Sequence, residues 1–108
     1  MFQLHPQLAA DTREVMRLGL CRVLLMNDRR FPWLILVPER TGIREIHQLS
    51  AADRAVLIEE AARTAQAMER LYKADKMNVA ALGNQVPQLH VHVIARFTTA
   101  PAWPTPVW

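Results

Sequence analysis

Gln88-Leu89-His90-Val91-His92-Val93-Ile94 is the stretch on which the fold turns. Polar and apolar residues alternate along it and the apolar ones are mostly β-branched, so it predicts a β-strand, running to about Phe97. Alternate strand residues share a face, which puts Gln88, His90 and His92 side by side with aliphatics behind them. An amide and two imidazoles in one row are an unusual arrangement to build for stability alone.

Immediately upstream, Gly83-Asn84-Gln85-Val86-Pro87 predicts a loop that delivers the chain into the histidine strand, and Asn78 to Leu82 a strand weakened by its alanines. Before these lies a helix over Ala51–Tyr72. Ser50 with Asp53 resembles a capping box with Asp in the usual Glu position. The expected apolar stripe includes Leu57, Ile58, Ala61, Met68, Leu71 and Tyr72, with Glu59, Glu60 and Arg63 facing mostly outward. Leu20–Met26 and Trp33–Val37, joined by the polar turn Asn27 to Pro32, predict an antiparallel hairpin. Thr12–Met16 predicts a short strand. Phe2–Asp11 is an opening segment in which Pro6 limits regular structure, and Glu39–Gln48 is a connection. Strands on both sides of one long helix give an α+β domain: an antiparallel sheet of about five strands, with allowance for a short second helix.

At 108 residues the chain suffices for one domain, spanning 1–108 with a Pro- and Trp-rich tail at 98–108. With 51% hydrophobic residues it can build a core, which excludes a disordered chain. The formal net charge of +3 is modest and scattered; it suits an anionic small ligand. No basic stripe with interleaved aromatics appears, which argues against a nucleic-acid partner. Cys21 is the single cysteine, expected as a buried small hydrophobe, and one cysteine permits no internal disulfide. The run Leu18–Met26 is broken by Arg22 and too short to span a membrane, and no basic-then-apolar leader is visible. These features lead to the expectation of a cytoplasmic protein without a membrane partner.

The histidine strand resembles the signature of the histidine-triad superfamily, in which three histidines alternate with hydrophobics. Gln88 stands at the first histidine position, His90 at the second and His92 at the third. The resemblance covers roughly residues 2–97: Leu24-Leu25-Met26-Asn27, Leu34-Ile35-Leu36-Val37-Pro38, the long helix, Asn78 and Gly83-Asn84-Gln85 follow in the family's order. It implies a homodimeric nucleotide hydrolase or transferase acting at the α-phosphate of phosphoanhydrides, esters or phosphoramidates, among them dinucleoside polyphosphates. By position His90 would be the nucleophile, forming a nucleotidyl-histidine, and His92 would contact the phosphate and the scissile oxygen. Asn27 would meet the ribose; Asn78, Asn84 and Gln85 would lie along the phosphates; Leu25 and the residues around Phe2 and Leu4 would border the base. The resemblance implies neither a cofactor nor a metal. Two positions depart from the pattern: Gln88 cannot share a proton near neutral pH as the first histidine does, and Trp33 stands where many relatives carry another histidine.

The residues are chemically apt. Transfer at phosphorus needs an in-line nucleophile and donors for the non-bridging oxygens; a neutral imidazole supplies the first, and amides supply the second without adding negative charge. Other readings stay open. His90 and His92 could be half-buried strand residues, or two ligands of a metal whose third would come from His5, His47 or Glu39. A non-catalytic nucleotide-binding module would also accommodate Gln88 and Trp33. Asn27 is equally a turn residue, Arg29 and Arg30 equally a solvated turn or a steer for phosphate, and Arg96 falls in register with the histidines. The tail, with Trp103 and Trp108, is too apolar to be an idle linker; it either docks on its own subunit or crosses a dimer interface to a partner's pocket.

Overall fold

The computed structural model describes residues 1–108. The chain runs through α1 (Pro6–Asp11), β1 (Thr12–Arg17), β2 (Cys21–Met26), β3 (Trp33–Pro38), a 3-10 turn (Ile46–Gln48), α2 (Ala51–Tyr72), β4 (Lys76–Ala80) and β5 (Val91–Arg96). All five strands join one sheet in the order β1-β2-β3-β5-β4, every neighbouring pair antiparallel. The expected α+β architecture, the hairpin of β2 and β3, and the bounds of the long helix are therefore observed.

Several local expectations need correction. Pro6 does not limit structure: it opens α1, where its missing N–H is no loss, and the His5 imidazole caps the helix by accepting from the Gln7 N–H at 3.0 Å. The histidine strand begins only at Val91, so Gln88, Leu89 and His90 are the approach to β5. At the start of α2, Ser50 Oγ accepts from the Asp53 N–H at 3.1 Å, but the other half of the box is missing. Asp53 is one methylene shorter than Glu and gives its carboxylate to Arg40 instead, at 2.8 and 3.2 Å.

The stripe on α2 is also narrower than its composition suggests. Leu57, Ala61 and Met68 are buried, whereas Ile58 and Leu71 are 63% and 74% exposed. Glu60, expected to face outward, is buried. Its carboxylate accepts the backbone N–H groups of Leu20 and Cys21 at 3.0 and 2.9 Å, tying α2 to the start of β2. Cys21 is fully buried as expected, and burial followed by the Glu60 carboxylate pushes its thiol pKa far up, so it is inert as a nucleophile.

The two sheet faces are covered differently, and this positions the site. On one face Cys21, Val23, Leu36, Val91, Val93 and Ala95 pack against α2. On the other, Leu24, Trp33, Ile35, Val37 and Ile94 are covered by no long helix but by the N-terminal segment with α1, the tail and two loop residues, Phe31 and Val86. Irregular cover leaves clefts, and His90 and His92 belong to this second face. No helix is long and apolar enough to cross a membrane.

Candidate functional site

A cavity of about 360 Å³ opens on the face away from α2. Its floor is the sheet at Trp33, Ile35, His90 and His92. One wall is Gln7, Leu8, Asp11 and Thr12 with Met26, the other is the loop 82–86, and Trp108 closes one side. This volume lies at the lower end of the range of about 300–1,000 Å³ typical of small-molecule sites. A larger groove of about 420 Å³ lies on the opposite face between the sheet and the end of α2, mostly apolar and remote from the imidazoles.

The imidazoles are held in defined states by their partners. His90 Nδ1 is 2.7 Å from the Gln88 carbonyl oxygen, and a carbonyl only accepts, so the proton sits on Nδ1 and Nε2 keeps its lone pair. His92 is held in the opposite tautomer. The Trp33 indole N–H donates to His92 Nδ1 at 3.0 Å in a buried contact, so the neutral ring carries its proton on Nε2. The two ring centroids stand 5.0 Å apart, and both residues are only 6% exposed. Burial, and then the neighbouring His90, push the His92 pKa down to about 4. With both rings neutral, the site thus presents one nitrogen lone pair and, from the next imidazole in the row, one N–H donor.

An aromatic cluster surrounds His92: Trp33 at 5.6 Å and Trp108 at 5.1 Å between centroids, both edge-on. Trp108 arrives because the tail folds back on its own chain. Arg96, 1% exposed, holds that tail: its guanidinium donates to the Thr105 carbonyl and to Asn78 Oδ1 (2.7 Å), and lies over the rings of Phe31 and Trp103 at 5.4 and 5.8 Å. Within the single chain, the tail packs on its own sheet face.

The sequence-nominated residues divide accordingly. His90, His92, Asn84 and Gln85 line the cavity together. Gly83, at φ 71°, turns the loop that carries the two amides, a conformation that glycine adopts without penalty. Gln88 contributes its backbone oxygen, while its side chain serves the N-terminal segment, accepting from the His5 N–H and donating to the Gln3 carbonyl, both at 2.8 Å. Asn78 is on the histidine face but is taken by Arg96. Asn27 is exposed beyond the end of β2, its N–H bonded to Asp11 O at 3.0 Å; its neighbour Met26 lines the cavity instead.

Leu25 is a correction: strand alternation turns it to the α2 face, where it lines the apolar groove. Phe2 lies under the Arg22 guanidinium and does not line the cavity. Arg30 is a solvated turn residue paired with Asp28 at 2.7 Å, holding that carboxyl below the usual range. The third ligand required by a metal reading is not supplied, since no three His, Cys, Asp or Glu side chains converge. Missed from sequence were Gln7, Asp11 and Thr12, for which Pro6 after a capping residue was the available signal; Trp108 was expected to pack, but no local pattern places it in this cavity.

Comparison with known proteins agrees with this geometry. Three crystal structures share the whole fold at a TM-score of 0.98. A histidine triad protein from Marinobacter aquaeolei VT8 is 55% identical, over 100% of this chain and 79% of that one. Histidine triad proteins from Bradyrhizobium japonicum and Sinorhizobium meliloti 1021 are 48% and 50% identical, over 99% of this chain and 80% and 79% of theirs. No curated protein sequence matches. The family model of the HIT domain matches residues 7–99, across both walls of the cavity and the histidine strand, and the chain belongs to that family.

Proposed function

We propose that the cavity binds a nucleotide and that His90 cleaves it at the α-phosphate through a nucleotidyl-histidine intermediate. The observation that carries this reading is the 2.7 Å contact between His90 Nδ1 and the Gln88 carbonyl, which leaves Nε2 free as a nucleophile. The same contact supports a reading in which no first histidine is needed: a main-chain oxygen orients the nucleophile, and that oxygen is present whatever residue stands at 88. His92 Nε2–H donates to a non-bridging oxygen, and the amides of Asn84 and Gln85 lie within reach of further phosphates. The homodimer implied by the family belongs to the same proposal, as do dinucleoside polyphosphates and phosphoramidates as candidate substrates.

The test is turnover of diadenosine polyphosphates and an adenosine phosphoramidate by the wild type and His90→Ala in parallel, with acid-quench trapping of nucleotidylated His90. Loss of turnover by at least about 10³-fold in the variant supports the route, a nucleophile having no substitute in the cavity. Unchanged turnover refutes it. Binding of nucleotide without turnover by the wild type favours a non-catalytic module, a second reading suggested by the Gln88 side chain being committed to the N-terminal segment.

A further inference from the structure

His92 is the second imidazole of the cavity, and its surroundings restrict what it can do beyond donating a hydrogen bond. The Nδ1 position accepts the Trp33 indole N–H, which is a donor only and cannot reverse its direction. A proton on Nδ1 would confront that donor and break a buried hydrogen bond. The imidazolium is therefore disfavoured by contact geometry, in the same sense as the burial that draws the His92 pKa down to about 4. A neutral imidazole with its proton on Nε2 donates a hydrogen bond, but surrendering that proton would leave an imidazolate.

No neighbour replaces it as an acid. His90 Nδ1–H is committed to the Gln88 carbonyl. The Thr12 hydroxyl donates to the Leu8 carbonyl at 2.6 Å, and Asp11, the one carboxylate side chain lining the cavity, accepts from the Gln7 amide at 2.8 Å.

On the reading of His90 as nucleophile, we propose that this site cleaves nucleotides whose α-phosphate bears an oxyanion leaving group, phosphate or carboxylate in an anhydride, and discriminates against amine leaving groups, because Trp33 holds His92 as a donor with no proton to give. In the first step the His90 Nε2 lone pair forms the N–P bond. The bond from phosphorus to the bridging oxygen breaks, and its electron pair leaves on that oxygen as a stable anion that needs no proton. His90 keeps Nδ1–H and carries the positive charge. In the second step water attacks phosphorus, the N–P bond returns its pair to Nε2, and the water proton passes to solvent. With a phosphoramidate the departing nitrogen would leave as an amide anion unless protonated, and the site supplies no acid for it. General-acid help is worth about 10²–10⁴-fold where it is needed, which sets the size of the discrimination.

The experiment compares kcat/KM, which reports the step that expels the leaving group, of the full chain on diadenosine tetraphosphate and on an adenosine 5′-phosphoramidate of an aliphatic amine. The tautomer of His92 is read by two-bond ¹H–¹⁵N NMR on the nucleotide-free protein. Expected are a kcat/KM ratio of at least about 10² favouring the anhydride and an unprotonated Nδ1 on His92. Trp33→Phe, which frees Nδ1 to take a proton, is expected to lower the ratio at least about tenfold; should that variant fail to fold, the wild-type ratio and tautomer decide. Equal kcat/KM values, or a protonated Nδ1, overturn the inference while the nucleophile reading stands. Turnover of neither substrate removes that reading and this inference with it.

Discussion

Arg96 is a buried cation whose hydrogen bonds go to neutral oxygens, and replacing it tests whether the tail is pinned as the geometry indicates. Arg96→Met keeps a flexible apolar side chain of comparable reach. The substitution leaves Asn78 Oδ1 and the Thr105 carbonyl without their donor, at about 1–3 kcal/mol each, and removes two ring contacts worth about 1 kcal/mol each. Against this stands the desolvation of a guanidinium that is only 1% exposed and whose Nε has no partner, a cost of several kcal/mol that the variant no longer bears. The offset is partial, and a net loss of about 3 kcal/mol is expected, or about 15 °C in Tm for a domain of this size. Urea denaturation followed by tryptophan fluorescence measures it. Arg96→Lys retains the charge but not the fork that reaches Asn78 and Thr105 together, so it recovers less than half the loss. A methionine variant within about 1 kcal/mol of the wild type would refute the reasoning, because the cation would then be a tolerated burden and not the pin of the tail.

Glu60→Ala leaves the N–H groups of Leu20 and Cys21 buried and unpaired; a loss of about 3–4 kcal/mol is expected, with Glu60→Gln recovering about half because its amide offers one acceptor. Faster amide exchange confined to Leu20 and Cys21 in the alanine variant would locate the effect, and protection equal to wild type would contradict it. The depressed His92 pKa predicts a pH dependence of stability. The unfolded imidazole, titrating near 6.5, binds a proton that the folded one at about 4 refuses, so stability falls as pH drops through the window from 6.5 to 4 and levels below it. The full difference is about 3 kcal/mol, and His92→Phe, measured at pH 7 and pH 4 beside the wild type, should lose most of the slope attributable to this residue. An unchanged slope would show that another group carries it.

The sequence was most informative where local pattern and tertiary environment agree. Ser50 starts α2 because its hydroxyl caps the Asp53 N–H, a contact three residues long, and the bounds of that helix were legible to the residue. The same locality misled at Glu60, where a carboxylate among outward-facing residues is drawn inward by two strand N–H groups about forty residues earlier in the chain. Alternation in β5 put His92, Ile94 and Arg96 on one face correctly. It could not show that both faces are covered and that the strand is buried throughout.

The chemistry of the site depends on partners that sequence spacing does not reveal. His90 and His92 are two residues apart and share a cavity, yet they hold opposite tautomers. One tautomer is set locally, by a main-chain carbonyl two residues back. The other is set across the sheet, where Ile35 pairs with His92 and Trp33 with Ile94, so that the indole lies diagonal to His92 on the same face and within bonding distance. A histidine at position 33 could donate or accept and would let a proton pass along the row; an indole donates only. The substitution that looks in the sequence like the loss of a catalytic imidazole is, in the fold, a one-way hydrogen bond. On the proposed mechanism it leaves the nucleophile intact and changes which leaving groups the site can release.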